Sequence, residues 1–215
     1  MGIRIKKTFL ILFIFSFLLL SGCSYSLSPV VSEWNKNNIS IRYEDPNYGE
    51  ILKEEVERCP IPVLVVDRDF FIEDYLSKSP YFEEEKDYSR VVGLFIPKSH
   101  SHEYPKTFIF ISDDLETVDI ISVLFHEWGH HLCRKNKCIC TYLDDQTLQE
   151  YHAYSYQMYF SLGTGCKDIV EATLDIIIGT AYHGNIGDSH TIASRYVISG
   201  NLLFDQCRAF LLQAE

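Results

Sequence analysis

The chain reads as an α+β domain, a small β-sheet followed by a helical bundle, and three observations lead there. Its 215 residues are 47% hydrophobic and 14% aromatic, enough for one packed core and too apolar for a disordered or fibrous protein. Short β-rich apolar runs collect in the first half. From Leu115 onward the apolar spacing lengthens to three or four residues, and strands first with helices after is the α+β order.

Residues 1–22 stand apart from this domain. Arg4, Lys6 and Lys7 make a positive start, and Phe9 to Leu20 is an apolar run broken only by Ser16, too short to cross a bilayer comfortably. It ends in Leu20-Ser21-Gly22-Cys23, which resembles the lipobox of bacterial lipoproteins. That resemblance implies a cleaved signal peptide and a lipid group on Cys23, the new N-terminus. The domain would then sit in the cell envelope, outside the cytoplasm, held to the membrane through Cys23; Ser24 suits the outer membrane if the cell is Gram-negative. An ordinary signal peptide or an uncleaved anchor would also export it. Residues 23–40, rich in Ser and Asn after the cysteine, read as a tether, leaving 41–215 as the folded domain.

The formal charge is −11, and losing residues 1–22 removes three basic and no acidic side chains, giving −14. Nucleic acid is excluded as a partner and anionic lipid surfaces are poor ones. Setting Cys23 aside, Cys59, Cys133, Cys138, Cys140, Cys166 and Cys207 suit disulfides in an oxidising compartment, or buried thiols. Cys133, Cys138 and Cys140 lack the Cys-x-x-Cys pairing of structural zinc sites.

Along the domain, Ile51, Leu52 and Val56 at helical spacing predict a helix over 48–59, and the run 61–66 predicts a strand. Residues 69–89 are acidic and aromatic, with Pro80 limiting any helix to short pieces. Strands are expected at 91–97 and 107–112. In the second, Phe108 and Phe110 share one face and Ile109 and Ile111 the other, so it is either a core strand or an edge that pairs with substrate. A buried amphipathic helix then carries Val118, Ile121, Leu124, Phe125, Trp128 and Leu132, with Asp113 or Asp114 as N-cap. Further helices are expected over about 144–162, 167–182 and 189–213.

The chemistry sits on the helix after the second strand, in His126-Glu127-Trp128-Gly129-His130. Residues i and i+4 lie one above the other on a helix, so both imidazoles can face a single ion, while Glu127 projects beside it as a base for a zinc-activated water. From this composition about 0.02 chance occurrences of H-E-x-x-H are expected, so accident is a weak rival. Catalytic zinc takes three protein ligands and keeps a position for water. Glu150, on the next predicted helix within Gln149-Glu150-Tyr151-His152-Ala153, is the candidate third ligand.

With Glu150 and Ala153 the stretch 105–160 resembles the gluzincin branch of the zincins, where a glutamate on the following helix completes the zinc site and an alanine commonly stands three positions on. The ImmA/IrrE-like peptidases fit as well. The resemblance implies a zincin-like fold, a zinc ion on His126, His130 and Glu150, and a peptidase acting on protein or peptide substrates. It departs at Tyr154, where thermolysin-like enzymes have an acidic residue that orients a zinc histidine; Asp119, Asp144, Asp145 and Asp175 are the replacements considered. A metzincin site is excluded, since Cys133 and Asn136 occupy the places of its glycine and third histidine.

Other residues compete for roles. His131 faces about 100° from His130 on the helix, and His152 is the substitute ligand if Glu150 fails. Asp188 reads as an N-cap, and His190 is a possible transition-state donor. The alternative function is a non-catalytic metal-binding envelope lipoprotein that binds a protein partner, for which the intact Glu127 would be superfluous.

Overall fold

A computed structural model describes residues 29–75, 91–97, 107–136 and 145–213. The leader, Cys23, Cys138, Cys140 and Asp144 lie outside them. The described chain is mostly helical with one small mixed sheet. In order it forms α1 (Pro29–Tyr43), α2 (Gly49–Arg58), β1 (Val63–Val66), a short helical stretch (Arg68–Phe70, Phe71–Tyr75), β2 (Gly93–Ile96), β3 (Phe108–Ser112), α3 (Thr117–Lys135), α4 (Gln146–Thr164), α5 (Lys167–His183), α6 (Ser189–Gly200) and α7 (Leu202–Gln213).

The sheet order is β1-β3-β2, with β3 parallel to β1 and antiparallel to β2. All residues of β1 and β3 are buried, because both faces of the sheet are covered. Val63, Val65, Ile109 and Ile111 pack with Ile120, Ile121, Leu124 and Phe125 of α3. Leu64, Val66, Phe108 and Phe110 form the opposite cluster with Ile96 and Phe71, whose ring stacks on Phe110 at 3.8 Å. A third cluster, including Tyr154, Met158, Leu174, Ile177, Val197 and Phe204, joins α4 to α5, α6 and α7.

From Pro29 onward the tether expected over 23–40 is replaced by α1. Asn35 donates its amide to Val63 O at 3.2 Å and accepts from Val65 N at 2.7 Å, taking the place of a neighbouring strand on the outer edge of β1. Asn38 and Arg42 add bonds to the Asp113 carboxylate and carbonyl, both at 2.7 Å, and Ile39 is buried. The polar residues that resemble a linker are the ones that dock this helix.

Two helix boundaries also differ from expectation. Asp113 is engaged by α1, so α3 starts after Glu116, which makes no side-chain cap, and Thr117 bonds to Asp45. The single helix expected over 189–213 is broken at Asn201, whose Oδ1 accepts from Leu203 N at 2.9 Å and whose Nδ2 reaches Ser155 Oγ at 2.9 Å. Asparagine there competes with the helix for backbone partners and starts a new one. Cys59, Cys166 and Cys207 are free thiols, so no disulfide joins them to one another. None of the described helices is long and apolar enough to cross a membrane.

Candidate metal centre

The site is built where α3 crosses α4. At the crossing, a Cβ on Gly129 would lie 2.9 Å from Ala153 Cα and 3.0 Å from Ala153 O, so the two backbones are as close as glycine permits. A small residue at 153 is what this approach requires. Phe160 reinforces it, stacked on Trp128 at 4.7 Å. With the helices this close, one turn of α3 and the second turn of α4 bring their polar side chains together in an otherwise apolar interior.

His126, His130 and Glu150 form a group whose ligand atoms all lie within 4.8 Å of one another. Glu150 Oε2 is 3.2 Å from His126 Nε2 and 3.3 Å from His130 Nε2. Charge-assisted N–H···O⁻ bonds usually run about 2.7–2.9 Å. Two ligands each about 2.0–2.1 Å from a tetrahedral ion are separated by roughly 3.4 Å, so the spacing is compatible with coordination as well as with pairing. Two imidazoles, in their neutral form, and a carboxylate are also a donor set that a divalent transition ion accepts. This group could hold a metal ion.

The electrostatics are those of a buried charge cluster. Burial would lower His130, but the Glu150 charge and hydrogen bond outweigh it and push it up to about 9. Burial alone would raise Glu150, yet the charge of His130 and its hydrogen bond hold it well below the usual carboxylate range. Burial keeps His126 low, with the His130 charge adding to the effect.

Glu127 stands outside this group. Its carboxylate lies against β2, where it accepts a bond from the Phe95 backbone N–H, and burial pushes it up to about 7. A Cβ on Gly93 would be 2.9 Å from Glu127 Oε1 and would also meet Val123 Cγ1, so glycine makes room for the carboxylate. Because Ser112 N bonds to Val92 O, residues 92, 94 and 96 face β3 and the backbone groups of Gly93 and Phe95 point outward. The strand considered as a substrate-pairing edge, β3, is instead the central strand, its backbone paired on both sides. Among the described residues, β2 is the open edge beside Glu127.

His190 enters the site from α6. Its Nδ1 is 3.0 Å from Glu150 Oε2, and its ring is 5.9 Å from that of His126. Asp188 caps α6 by accepting from Thr191 N at 3.3 Å, as the sequence suggested, and this fixes the turn that carries His190 inward. His131 and His152 are elsewhere, their rings against Phe95 and Tyr151.

None of the described acidic candidates is seen to orient His126 or His130. Asp145 caps α4 through Leu148 N, and Asp119 is raised by burial and then by Glu116 and Asp175. Gln157 takes that place, its Oε1 3.3 Å from His126 Nδ1. It stands seven residues after Glu150 on the same face of α4, which was the available signal. Tyr154, in the position acidic in thermolysin-like enzymes, packs its ring 4.6 Å from His126 and bonds to Thr180.

No protein-family model, curated protein or solved structure matches this chain.

Proposed function

We propose that the protein is a zinc-dependent metallopeptidase of zincin-like fold, with His126, His130 and Glu150 as zinc ligands and Glu127 as the general base. The observation that carries the reading is the convergence of these three side chains at ligand spacing, with the buried Glu127 carboxylate outside the group and alongside it.

When bound, zinc supplies Lewis acidity, which acidifies a coordinated water and polarises an amide carbonyl. Glu127 takes the proton from the attacking water on its carboxylate and hands it to the departing amine. Its bond from Phe95 N–H holds the carboxylate beside the edge of β2. The outward backbone groups of Gly93 and the Phe95 carbonyl can pair with an extended peptide, placing a scissile bond near Glu127. His190, half-exposed and already beside Glu150, is available to donate a hydrogen bond to the oxygen that gains charge.

A structural zinc site would need four protein ligands and no neighbouring base, so the arrangement favours catalysis over the partner-binding alternative. The lipobox-like segment at Cys23 supports an envelope location, with peptides outside the cytoplasm as substrates. The test is zinc content and peptide cleavage by the purified protein. Stoichiometric zinc with cleavage abolished in Glu127→Gln is expected; cleavage that survives the substitution refutes the mechanism.

A further inference from the structure

A chain of buried polar groups runs from His126 away from the candidate metal position. Gln157, Ser122, Thr173 and Ser161, from α4, α3, α5 and α4 respectively, are all at most 1% exposed. His126 Nδ1 meets Gln157 Oε1 at 3.3 Å, Gln157 Nε2 meets Ser122 Oγ at 2.8 Å, Ser122 Oγ meets Thr173 Oγ1 at 2.8 Å and Thr173 Oγ1 meets Ser161 Oγ at 2.7 Å. Ser161 Oγ ends the chain on the backbone carbonyl of Gln157 at 2.8 Å.

That last contact sets every proton. A carbonyl only accepts, so the Ser161 hydroxyl must donate to it, and Ser161 Oγ can then only accept from Thr173. Thr173 therefore accepts from Ser122, and Ser122 accepts from the Gln157 amide nitrogen. The amide oxygen is left facing His126, whose Nδ1 must carry a hydrogen, so that in the neutral ring the lone pair is on Nε2, toward the candidate metal position. Turning the amide over would force Ser122 to donate to Gln157 and Thr173 to donate to Ser122. The 2.7 Å contact between Thr173 and Ser161 would then hold no proton, leaving two buried oxygens in repulsion.

We infer that Gln157 is a positioning residue whose orientation, enforced by the Ser122–Thr173–Ser161 chain, fixes His126 in the Nδ1–H form that presents Nε2 to the metal. The inference rests on the reading of His126 as a zinc ligand. An orienting partner of this kind is worth about 10–100-fold in metal affinity. An amide does this without placing another negative charge in the interior.

The test is zinc affinity by competition with a chromophoric chelator, with the fold monitored by circular dichroism, on the protein and three variants. Gln157→Leu keeps the volume and loses the acceptor; Gln157→Glu keeps an acceptor toward His126. Thr173→Val cuts the chain two links from the histidine without touching Gln157. Positioning predicts affinity lowered roughly 10–100-fold in Gln157→Leu, substantially retained in Gln157→Glu and lowered in Thr173→Val. It also predicts a downfield, slowly exchanging Nδ1 proton of His126 in the zinc-loaded protein that Gln157→Leu loses. A mere packing role predicts the reverse order, with leucine tolerated and the buried glutamate disruptive, and that result overturns the inference. So does unchanged affinity in folded Thr173→Val. Absence of zinc binding by the parent protein would instead refute the metal site itself.

Discussion

Each side chain at the centre answers for a separable property. Glu127 is not a member of the three-residue group, so Glu127→Gln is expected to keep zinc and lower kcat by about 10²–10⁴-fold, read by metal analysis beside a peptide assay. His190→Ala is expected to keep zinc too, and to lower kcat by about 10²-fold with little change in KM, the mark of a donor used in the transition state. Loss of zinc in that variant would make His190 a ligand instead. H-E-x-x-H was legible because helical spacing is a local property of sequence, and Glu150 was a candidate through its place on the next predicted helix and the gluzincin resemblance. Gln157 was not: a glutamine in a helix carries no charge to draw attention, and its role depends on hydroxyls from three separate positions, Ser122, Thr173 and Ser161, that only the packed helices bring together.

The elements matter through how they approach one another. The α3–α4 crossing depends on Gly129, where even a methyl group meets the Ala153 backbone, so Gly129→Ala is expected to cost about 1–3 kcal/mol by overpacking and to weaken zinc binding as Glu150 is pushed away. Thermal melts with and without zinc would read both effects; an unchanged melting temperature and affinity would mean the helices are looser than described. At the other end of the sheet, Asn35→Leu should leave Val63 O and Val65 N without partners and cost about 1–3 kcal/mol. Strand and helix positions followed from periodicity, since β1, β2, β3 and α2 to α5 fall where apolar spacing put them. What periodicity could not carry was strand order and docking. Nothing local distinguishes central β3 from open β2, and α1, rich in Asn and Ser, looks like a tether because polar groups rather than an apolar stripe attach it.

For the whole molecule, the consequence is that the folded unit begins earlier than residue 41. A protein starting after Tyr43 lacks Asn35, Asn38, Ile39 and Arg42 and exposes the outer edge of β1, so it is expected to unfold at lower temperature and to aggregate more than one starting after Cys23. Equal stability of the two would return these residues to the role of a linker. The sheet, α1 and the helical clusters brace α3 and α4, and those two helices carry the ligand group. The most direct measurement is therefore the zinc stoichiometry of the purified protein beside Glu150→Ala, with folding verified for both. One equivalent in the parent and none retained by the variant is the predicted result; no zinc in the parent, or undiminished zinc without Glu150, would contradict the account.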